Sequence, residues 1–268
     1  MENTLFLCDL HVGSLVSIWP REGLMPEGGE WKLNLVQKHL ARHWDRFLSE
    51  MLDVPHLDAV IIVGDVLEGV NSRNLEVVTT RLDYQASAAI DLLSPVRELA
   101  DRMYILKGTS FHGGEMDQHV TQVAKALDVE PSPSGEALWD DMLYHIGDRD
   151  IWHIAHHIGT TRNVSYEATG PMTALTTTKM EYDRAYGRWG PHITGIVRAH
   201  RHKMIHVHKP PWHAIALCGW KLKDGFAHKV APGGLPEYGY ALVSYEEEIN
   251  VKLQTYPLPP PHVENKPT

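Results

Sequence analysis

The sequence predicts a layered α/β fold, in which two mixed β-sheets pack together as a sandwich flanked by helices. Two observations support this prediction. In the first half of the chain, short apolar and β-branched runs alternate with longer segments of helical periodicity, whereas the second half consists mainly of short strand-like runs. Two sheets packed face to face with helices outside would bury the apolar face of each element.

The first half contains three predicted strands and two long predicted helices. The strands are short runs of apolar and β-branched residues, and the helices have apolar residues at three- and four-residue spacing. The Pro- and Gly-rich residues 14–31 interrupt regular structure and predict an irregular excursion after the first strand. The predicted elements are strand 5–8, helix 33–52, strand 58–63, helix 75–102 with a break or kink at Pro95, and strand 103–106.

The second half contains more strands than helices. A short predicted helix over residues 117–127 leads into a linker rich in Pro and Ser, residues 131–135. The predicted elements after the linker are strands 142–146 and 151–155, helix 172–188, and strands 193–198, 204–207, 213–217, 240–245 and 249–254.

Length and composition predict one globular domain. A chain of 268 residues, 43% hydrophobic and 22% charged, can bury a full core. We therefore expect a single domain over residues 1–256 and a proline-rich tail over residues 257–268. The sequence contains no run of eighteen apolar residues, and its N-terminus lacks the pattern of a signal peptide. With only Cys8 and Cys218, no disulfide framework is expected, so the expected location is the cytoplasm, without a membrane partner.

The net charge and the histidine count bear on function. A formal charge of −9 argues against broad contact with nucleic-acid phosphates, although a local basic groove would still allow a nuclease. The 18 histidines are informative because several form short clusters, and imidazole is the usual nitrogen ligand of Zn, Mn and Fe.

Polar side chains suited to metal binding follow five predicted strands. In an extended chain residues i and i+2 point to one side, so Asp9 and His11 would leave the first strand together. The five sites are Asp9 with His11, Asp65, the loop 108–112, His156 with His157, and His200 with His202. Strand ends at one edge of a layered α/β fold converge on a crevice. Two metal ions roughly 3.5–4 Å apart would use such Asp and His ligands.

Each member of this set has an ordinary structural alternative. An isolated Gly-Asp pair, such as Gly64-Asp65, more often caps a turn or a helix. An Asp-x-His triplet at a strand end is more often incidental than metal-binding. The recurrence at five strand ends, rather than any single motif, therefore carries the metal-site prediction.

In chain order the motifs are Asp9-x-His11, Gly64-Asp65, Gly108-x-x-x-His112, His156-His157 and His200-x-His202. This order resembles the calcineurin-like metallophosphoesterase superfamily. The pattern of that superfamily is Asp-x-His, Gly-Asp-x-x-Asp, Gly-Asn-His followed by an acid, an isolated His, and Gly-His-x-His. The resemblance covers residues 5–202, and within the superfamily Asp-Leu-His-Val-Gly is most similar to DNA repair nucleases and small prokaryotic and phage members.

The resemblance implies a role for each matching residue. Asp65 would bridge two metals, and His157 is the alternative to His156, because the sequence does not show which of the pair turns inward. Glu68 would hold a metal ligand in place. The implied metal ligands are Asp9, His11 and His202 for the first ion, His156, His200 and Thr109 for the second, and Asp65 for both.

Three positions depart from the superfamily pattern. Ala199 replaces the Gly before the last His pair, which leaves both imidazoles in place. Thr109 stands where the superfamily has a metal-binding Asn, and a hydroxyl is a weaker ligand than an amide carbonyl, so the second ion would bind more loosely. Ser110 stands where the superfamily has a substrate-facing His, and His112 would supply that imidazole instead.

The implied reaction is hydrolysis of a phosphate ester by an enzyme with two divalent ions, manganese first and iron, zinc, nickel or magnesium as alternatives. A water between the metals would ionise and attack phosphorus, Asp65 and His112 would be catalytic, and Arg201 would either reach a phosphate oxygen or face solvent. The leading expectation is a phosphodiesterase or nuclease, with a nucleic acid or nucleotide as substrate. A phosphomonoesterase and a scaffold that has lost catalysis are the alternatives. The oligomeric state is not readable from the sequence.

Overall fold

Two five-stranded β-sheets form the centre of the computed structural model of the chain, which describes residues 1–22, 25, 28–70, 76–109, 115–159, 166–230 and 234–260. The first sheet has the order β10-β9-β1-β2-β3, with β1, β2 and β3 parallel and β9 and β10 antiparallel. Its strands are β1 (Glu2–Leu7), β2 (Leu57–Val63), β3 (Ala100–Leu106), β9 (Gly239–Tyr245) and β10 (Ile249–Thr255).

The second sheet is also mixed. Its order is β4-β5-β6-β8-β7, in which β5, β6 and β8 are parallel and the two outer strands pair antiparallel. Its strands are β4 (Asp141–Ile146), β5 (Asp150–Ala155), β6 (Ile193–Arg198), β7 (Ile205–Lys209) and β8 (Trp212–Ala216). The predicted sandwich of two mixed sheets is therefore confirmed.

Helices cover the outer faces of both sheets. Alternate residues of β1 divide between two cores: Leu5 and Leu7 pack with α1 and α2, whereas Phe6 packs between the sheets with Trp152 and Ile215. On the outer face of the second sheet, Leu175 of α4 packs on β6 and β8. The helices are α1 (Leu35–Leu52), α2 (Leu82–Glu98), α3 (Glu115–Ala126), α4 (Thr169–Tyr186) and α5 (Gly225–Val230).

The predicted long helix over residues 75–102 was wrong at both ends. Leu15 donates to the carbonyl of Glu76, and Val78 donates to that of Gly13, so this segment pairs with the loop after β1 instead of starting a helix. At the other end the chain enters β3 at Ala100, because that residue already pairs with Leu57 of β2. Pro95 lies inside the last turn of α2, where the helix continues to Glu98.

The remaining predicted elements are present with shifts of a few residues at their ends. The short helix α5 was not predicted, because its six residues are too few to show helical periodicity. Among the described ranges, no helix combines the length and the apolar character needed to cross a membrane. Of the predicted tail, residues 261–268 lie outside the described ranges, and Pro257 accepts hydrogen bonds from Tyr238 and His39.

Candidate metal centre

The predicted ligands come together at the carboxyl ends of five strands. Parallel pairing of β1 with β2 places the residues after Leu7 beside those after Val63, and parallel pairing of β5, β6 and β8 does the same in the second sheet. At these strand ends lie two of the three groups of potential ligands found among the described residues, and the donor atoms within each group lie within 4.8 Å of one another. The groups are Asp9, His11 and His202, and Asp65, His156 and His200.

The backbone at these positions is strained. A positive φ is uncommon for a residue other than glycine and costs of order 1–3 kcal/mol when the surroundings hold it in place. Among the described residues, six other than glycine have a positive φ, and five of the six are predicted ligands. Those five are Asp9 (47°), His11 (46°), Asp65 (46°), His200 (74°) and His202 (51°). Such strain concentrates at functional sites, because it aims side chains that an ordinary strand end would leave apart.

Hydrogen bonds hold the strained loops against one another. The N–H of Asp9 donates to the carbonyl of Gly64, and the N–H of His11 donates to that of Asp65. The N–H of His200 donates to Asp9 Oδ2 at 3.0 Å, which links the second sheet to the first. These bonds join the ends of β1, β2 and β6 into one framework that fixes the side-chain directions.

Three imidazoles present the same nitrogen to the centre. His156 Nδ1 lies 2.8 Å from the carbonyl oxygen of Val63, and His202 Nδ1 lies 3.3 Å from that of Lys221. His11 Nδ1 lies 2.9 Å from Glu68 Oε2. Because each Nδ1 faces an oxygen acceptor, it carries the proton, and the Nε2 atom keeps its lone pair for a metal.

These Nε2 atoms face carboxylates. His156 Nε2 lies 3.2 Å from Asp65 Oδ2, and His202 Nε2 lies 3.6 Å from Asp9 Oδ1. His11 Nε2 is 3.8 Å from both carboxylates. Asp9 Oδ1 is buried and has no hydrogen-bond partner among the described residues. Lone pairs that face carboxylate oxygens repel unless a cation lies between them, so this set of nitrogen and oxygen donors fits divalent metal ions.

In the metal-free chain, the pKa values of His156 and His200 show that the site favours positive charge. Burial opposes a charged imidazole, but the carboxylates of Asp65 and Asp9 outweigh it and raise the pKa of His156 to about 9. For His200, burial and the nearby charge of His156 lower the pKa to about 4. Without a metal, His156 is therefore protonated and His200 is neutral near neutral pH.

Asp65 faces both groups of ligands through one oxygen. Asp65 Oδ2 approaches His156 and His11, whereas Asp65 Oδ1 accepts a 2.9 Å hydrogen bond from the N–H of Thr109. The Thr109 hydroxyl lies 3.3 Å from the same Oδ1. Thr109 thus fixes the orientation of Asp65, and its role as a ligand stays a prediction.

The structure separates the two adjacent histidines of the fourth motif. His156 is buried and directed at Asp65, whereas His157 is exposed, with its ring centroid 4.7 Å from that of His200. His112 and Ser110 lie outside the described residues.

Glycines allow the close approach of the surrounding loops. A Cβ added to Gly108 would overlap the Asp65 carboxylate, and one added to Gly64 would overlap the His156 ring. A Cβ on Gly219 would lie 2.7 Å from that of Asp9. The site is therefore shaped around side chains of the present size, and larger residues at these positions would displace the ligands.

A buried charge network supports His11. Glu68 accepts from Lys221 Nζ at 2.9 and 3.0 Å, and Lys221 also pairs with Asp224 at 2.8 Å. Burial raises the pKa of Glu68, but the charges of His11 and Lys221 outweigh it and lower the pKa to about 2. The predicted neighbour of a ligand, Glu68, is thus in contact with His11.

Sequence reasoning missed Lys221 and Asp224. Both follow β8, whose end lies at the same edge of the second sheet as the ends of β5 and β6. No spacing motif marks them. The available signal was that a sixth strand end, after Ala216, reaches the same crevice.

Comparisons with known proteins place the chain among solved structures of low sequence identity. No protein-family model matches the chain, and no curated protein matches it. A single mutant of Vps29 from Entamoeba histolytica aligns with a TM-score of 0.47 and 10% identity over 95% of this chain and 99% of that chain.

Wild-type Vps29 of the same organism, complexed with zinc, gives a TM-score of 0.44 and 10% identity over 94% and 98% of the two chains. An archaeal phosphodiesterase aligns with a TM-score of 0.42 and 10% identity, over 93% of this chain and 98% of that chain.

The chain's own architecture defines the class. It has two mixed five-stranded sheets flanked by helices, with the five motifs following strands at one edge. This is the fold that the sequence resemblance implies, and the fold prediction is confirmed.

Proposed function

We propose that the protein is a hydrolase of phosphate diesters that uses two divalent metal ions. The observation that carries the proposal is that three imidazole Nε2 atoms lie 3.2–3.8 Å from the buried carboxylates of Asp9 and Asp65. Positive charge between these donor atoms stabilises the arrangement, two divalent ions would supply it, and the site lies where the loops of both sheets converge.

Two groups of side chains would hold the ions. Asp9, His11 and His202 form one group, His156 and His200 form the other with Thr109 as a weak ligand, and Asp65 faces both. Bound there, two divalent ions would polarise the phosphoryl oxygens and lower the pKa of a water molecule to near neutral. The mixed nitrogen and oxygen donors suit manganese, with iron, zinc, nickel and magnesium as alternatives.

The chain's own residues orient this centre and handle protons. Glu68 and Lys221 fix the ring of His11, and Thr109 fixes Asp65. We assign protonation of the leaving oxygen to His112, whose position lies outside the described residues. The proposed substrate is a phosphate diester of a nucleotide or nucleic acid.

Turnover of model esters with Mn²⁺ tests the proposal. We expect hydrolysis of bis-p-nitrophenyl phosphate at a rate above that of p-nitrophenyl phosphate, and activity that a chelator removes. Faster turnover of the monoester would make the protein a phosphomonoesterase. No turnover with any of the five metals would support the scaffold alternative. Single-stranded and duplex DNA as substrates then distinguish a nuclease from a nucleotide diesterase.

Thr109→Asn should strengthen the weaker metal site. In the wild-type protein, calorimetric titration of the apo-protein with Mn²⁺ should give two steps, because one site relies on a neutral hydroxyl. An amide carbonyl is a better ligand, so the variant should tighten the second step by roughly 10-fold, the lower end of the effect of single residues around metal sites. Thr109→Val, which keeps the shape but removes the oxygen, is the matched control. A single tight step of two equivalents in wild-type protein would contradict the assignment.

His112→Ala should affect substrates according to their leaving group. An alkoxide needs a proton to depart, whereas p-nitrophenolate does not, so the loss should be greater on an alkyl diester than on a p-nitrophenyl diester. Equal losses on both substrates at unchanged metal content would make His112 a binding or structural residue.

A further inference from the structure

A long groove outside the metal centre runs along one face of α4. It encloses about 630 Å³ between the helix and the chain that follows β5. The α4 side of the groove is formed by neighbouring pairs one helical turn apart, from Thr169 and Gly170 to Glu181 and Tyr182. This volume lies within the range of about 300–1,000 Å³ that small-molecule sites occupy.

One end of the groove is lined by the residues that follow the fourth ligand motif in the chain. Its lining includes Ile158 and Gly159, which directly follow the His156-His157 pair. A Cβ built on Gly170 would lie 3.0 Å from Arg201 Nη1, so the residue between His200 and His202 lies against the first turn of α4. A molecule whose phosphate is at the metal centre could therefore extend into the groove.

The lining combines apolar surface with aromatic rings and hydroxyl groups. Tyr166 and Tyr182 supply the rings, Thr173 and Thr177 supply hydroxyls, and Glu181 supplies a carboxylate. Aromatic rings stack on nucleobases, and hydroxyl and carboxylate groups bond to ribose hydroxyls and base edges. A simple alkyl or aryl ester would use few of these groups.

A buried cation orients a hydrogen-bond donor at the base of the groove. Arg198, which is 5% exposed, donates to the His153 carbonyl, to His153 Nδ1 at 2.9 Å and to Thr178 Oγ1. Because a guanidinium group only donates, His153 Nδ1 must accept, and Nε2, which lies 3.7 Å from Asp141 Oδ1, carries the proton. Burial and the charge of Arg198 lower the pKa of His153 to about 4, so the imidazole is a neutral donor near neutral pH.

We propose that the α4 groove binds the nucleoside part of a nucleotide diester whose phosphate is at the metal centre. This inference rests on the proposed diesterase function and deepens it, because the groove would select substrates that carry a base and a sugar. Tyr166 would stack on the base, and the hydroxyl groups of Thr173 and Thr177 on α4 would contact the sugar.

Two substrates with one leaving group test the proposal. Thymidine 5′-(p-nitrophenyl phosphate) and methyl p-nitrophenyl phosphate both release p-nitrophenolate, so only the nucleoside differs. Thr177→Trp would fill the groove, and Thr176→Trp, on the neighbouring exposed position outside the groove, is its matched control. The second variant is Tyr166→Ala. Its control is Tyr186→Ala, because the wild-type side chains of Tyr166 and Tyr186 are equally exposed, at 60% and 59%.

We expect Thr177→Trp and Tyr166→Ala to lower kcat/KM for the thymidine ester by roughly 5–150-fold, the effect of losing a base–aromatic stack. The methyl ester and both control variants should remain near wild type. Equal losses on the two esters, or no loss on the thymidine ester, would overturn the proposal.

A binding measurement separates this proposal from the diesterase function. In Mn²⁺-loaded protein, calorimetry should show that thymidine 5′-phosphate binds more tightly than inorganic phosphate. Thr177→Trp should remove this difference in affinity, whereas its control Thr176→Trp should keep it. That result without any turnover would support the groove and contradict the diesterase function. Equal affinity for the nucleotide and for phosphate would overturn the groove proposal whatever the activity.

Discussion

Asp65→Asn should abolish most of the proposed diesterase activity and weaken the binding of both proposed metal ions. Asp65 Oδ2 faces imidazoles of both ligand groups, so the neutral amide removes the negative charge that the two sites share. We expect turnover to fall by roughly 10²–10³-fold or more, the range for removing one preorganised group that stabilises the transition state. Metal content after dialysis should fall below two ions per chain.

Asp128→Asn is the matched control for this variant. Asp128 also has a left-handed backbone, with φ of 50°, but it lies after α3 and belongs to neither ligand group. Asparagine tolerates that conformation as well as aspartate does, so backbone strain should not change in either variant. Two tightly held ions and near-normal turnover in Asp65→Asn would show that another residue links the sites.

The sequence predicted the fold because its hydrophobic periodicity is local. Strand β2, for example, is a run of β-branched residues buried on both faces, and its end at Gly64-Asp65 was visible without any tertiary information. The candidate ligands could be proposed for the same reason, since each follows a strand. To predict that these ligands converge, only one further rule was needed, namely that parallel strands end at one edge of a sheet.

Features that depend on tertiary contacts were not predictable in this way. The choice of His156 over His157 depends on the bond between His156 Nδ1 and the carbonyl of Val63, 93 positions earlier. The helix predicted over residues 75–102 was too long because Val78 bonds instead to Gly13, in a distant loop. In each case a long-range hydrogen bond decides between options that local propensity leaves equal.

Lys221→Met should destabilise the protein strongly although Lys221 is not a predicted ligand. Lys221 is 8% exposed and pairs with Glu68 and Asp224. Removal of one partner of a buried ion pair leaves an uncompensated charge and costs about 3–5 kcal/mol. Urea unfolding at pH 7 measures the loss. Lys179→Met breaks the exposed pair of Lys179 with Asp183 and should cost only about 0–1 kcal/mol.

The pH dependence of this loss identifies Glu68 as the charge concerned. In metal-free wild-type protein the pKa of Glu68 is lowered from 4.5 to about 2, so its ionised form stabilises the fold above pH 4.5 and that contribution disappears as pH falls through about 2. Without Lys221, burial favours protonated Glu68. The difference in unfolding free energy between wild type and Lys221→Met should therefore shrink as pH is lowered below 4.5.

The double variant Glu68→Gln with Lys221→Met decides whether the pair acts as a unit. A neutral amide can still accept from His11 Nδ1, and of the two carboxylates that Lys221 contacts only Asp224 then keeps its charge, so the double variant should regain part of the stability lost in Lys221→Met. Its metal affinity should stay below wild type by roughly 10–100-fold, because the amide holds the His11 ring less strongly than the carboxylate does. The single variant Glu68→Gln completes the comparison. If the stability loss of the double variant equals the sum of the losses in Glu68→Gln and Lys221→Met, Glu68 and Lys221 act independently, and the charge network has no role in orienting His11.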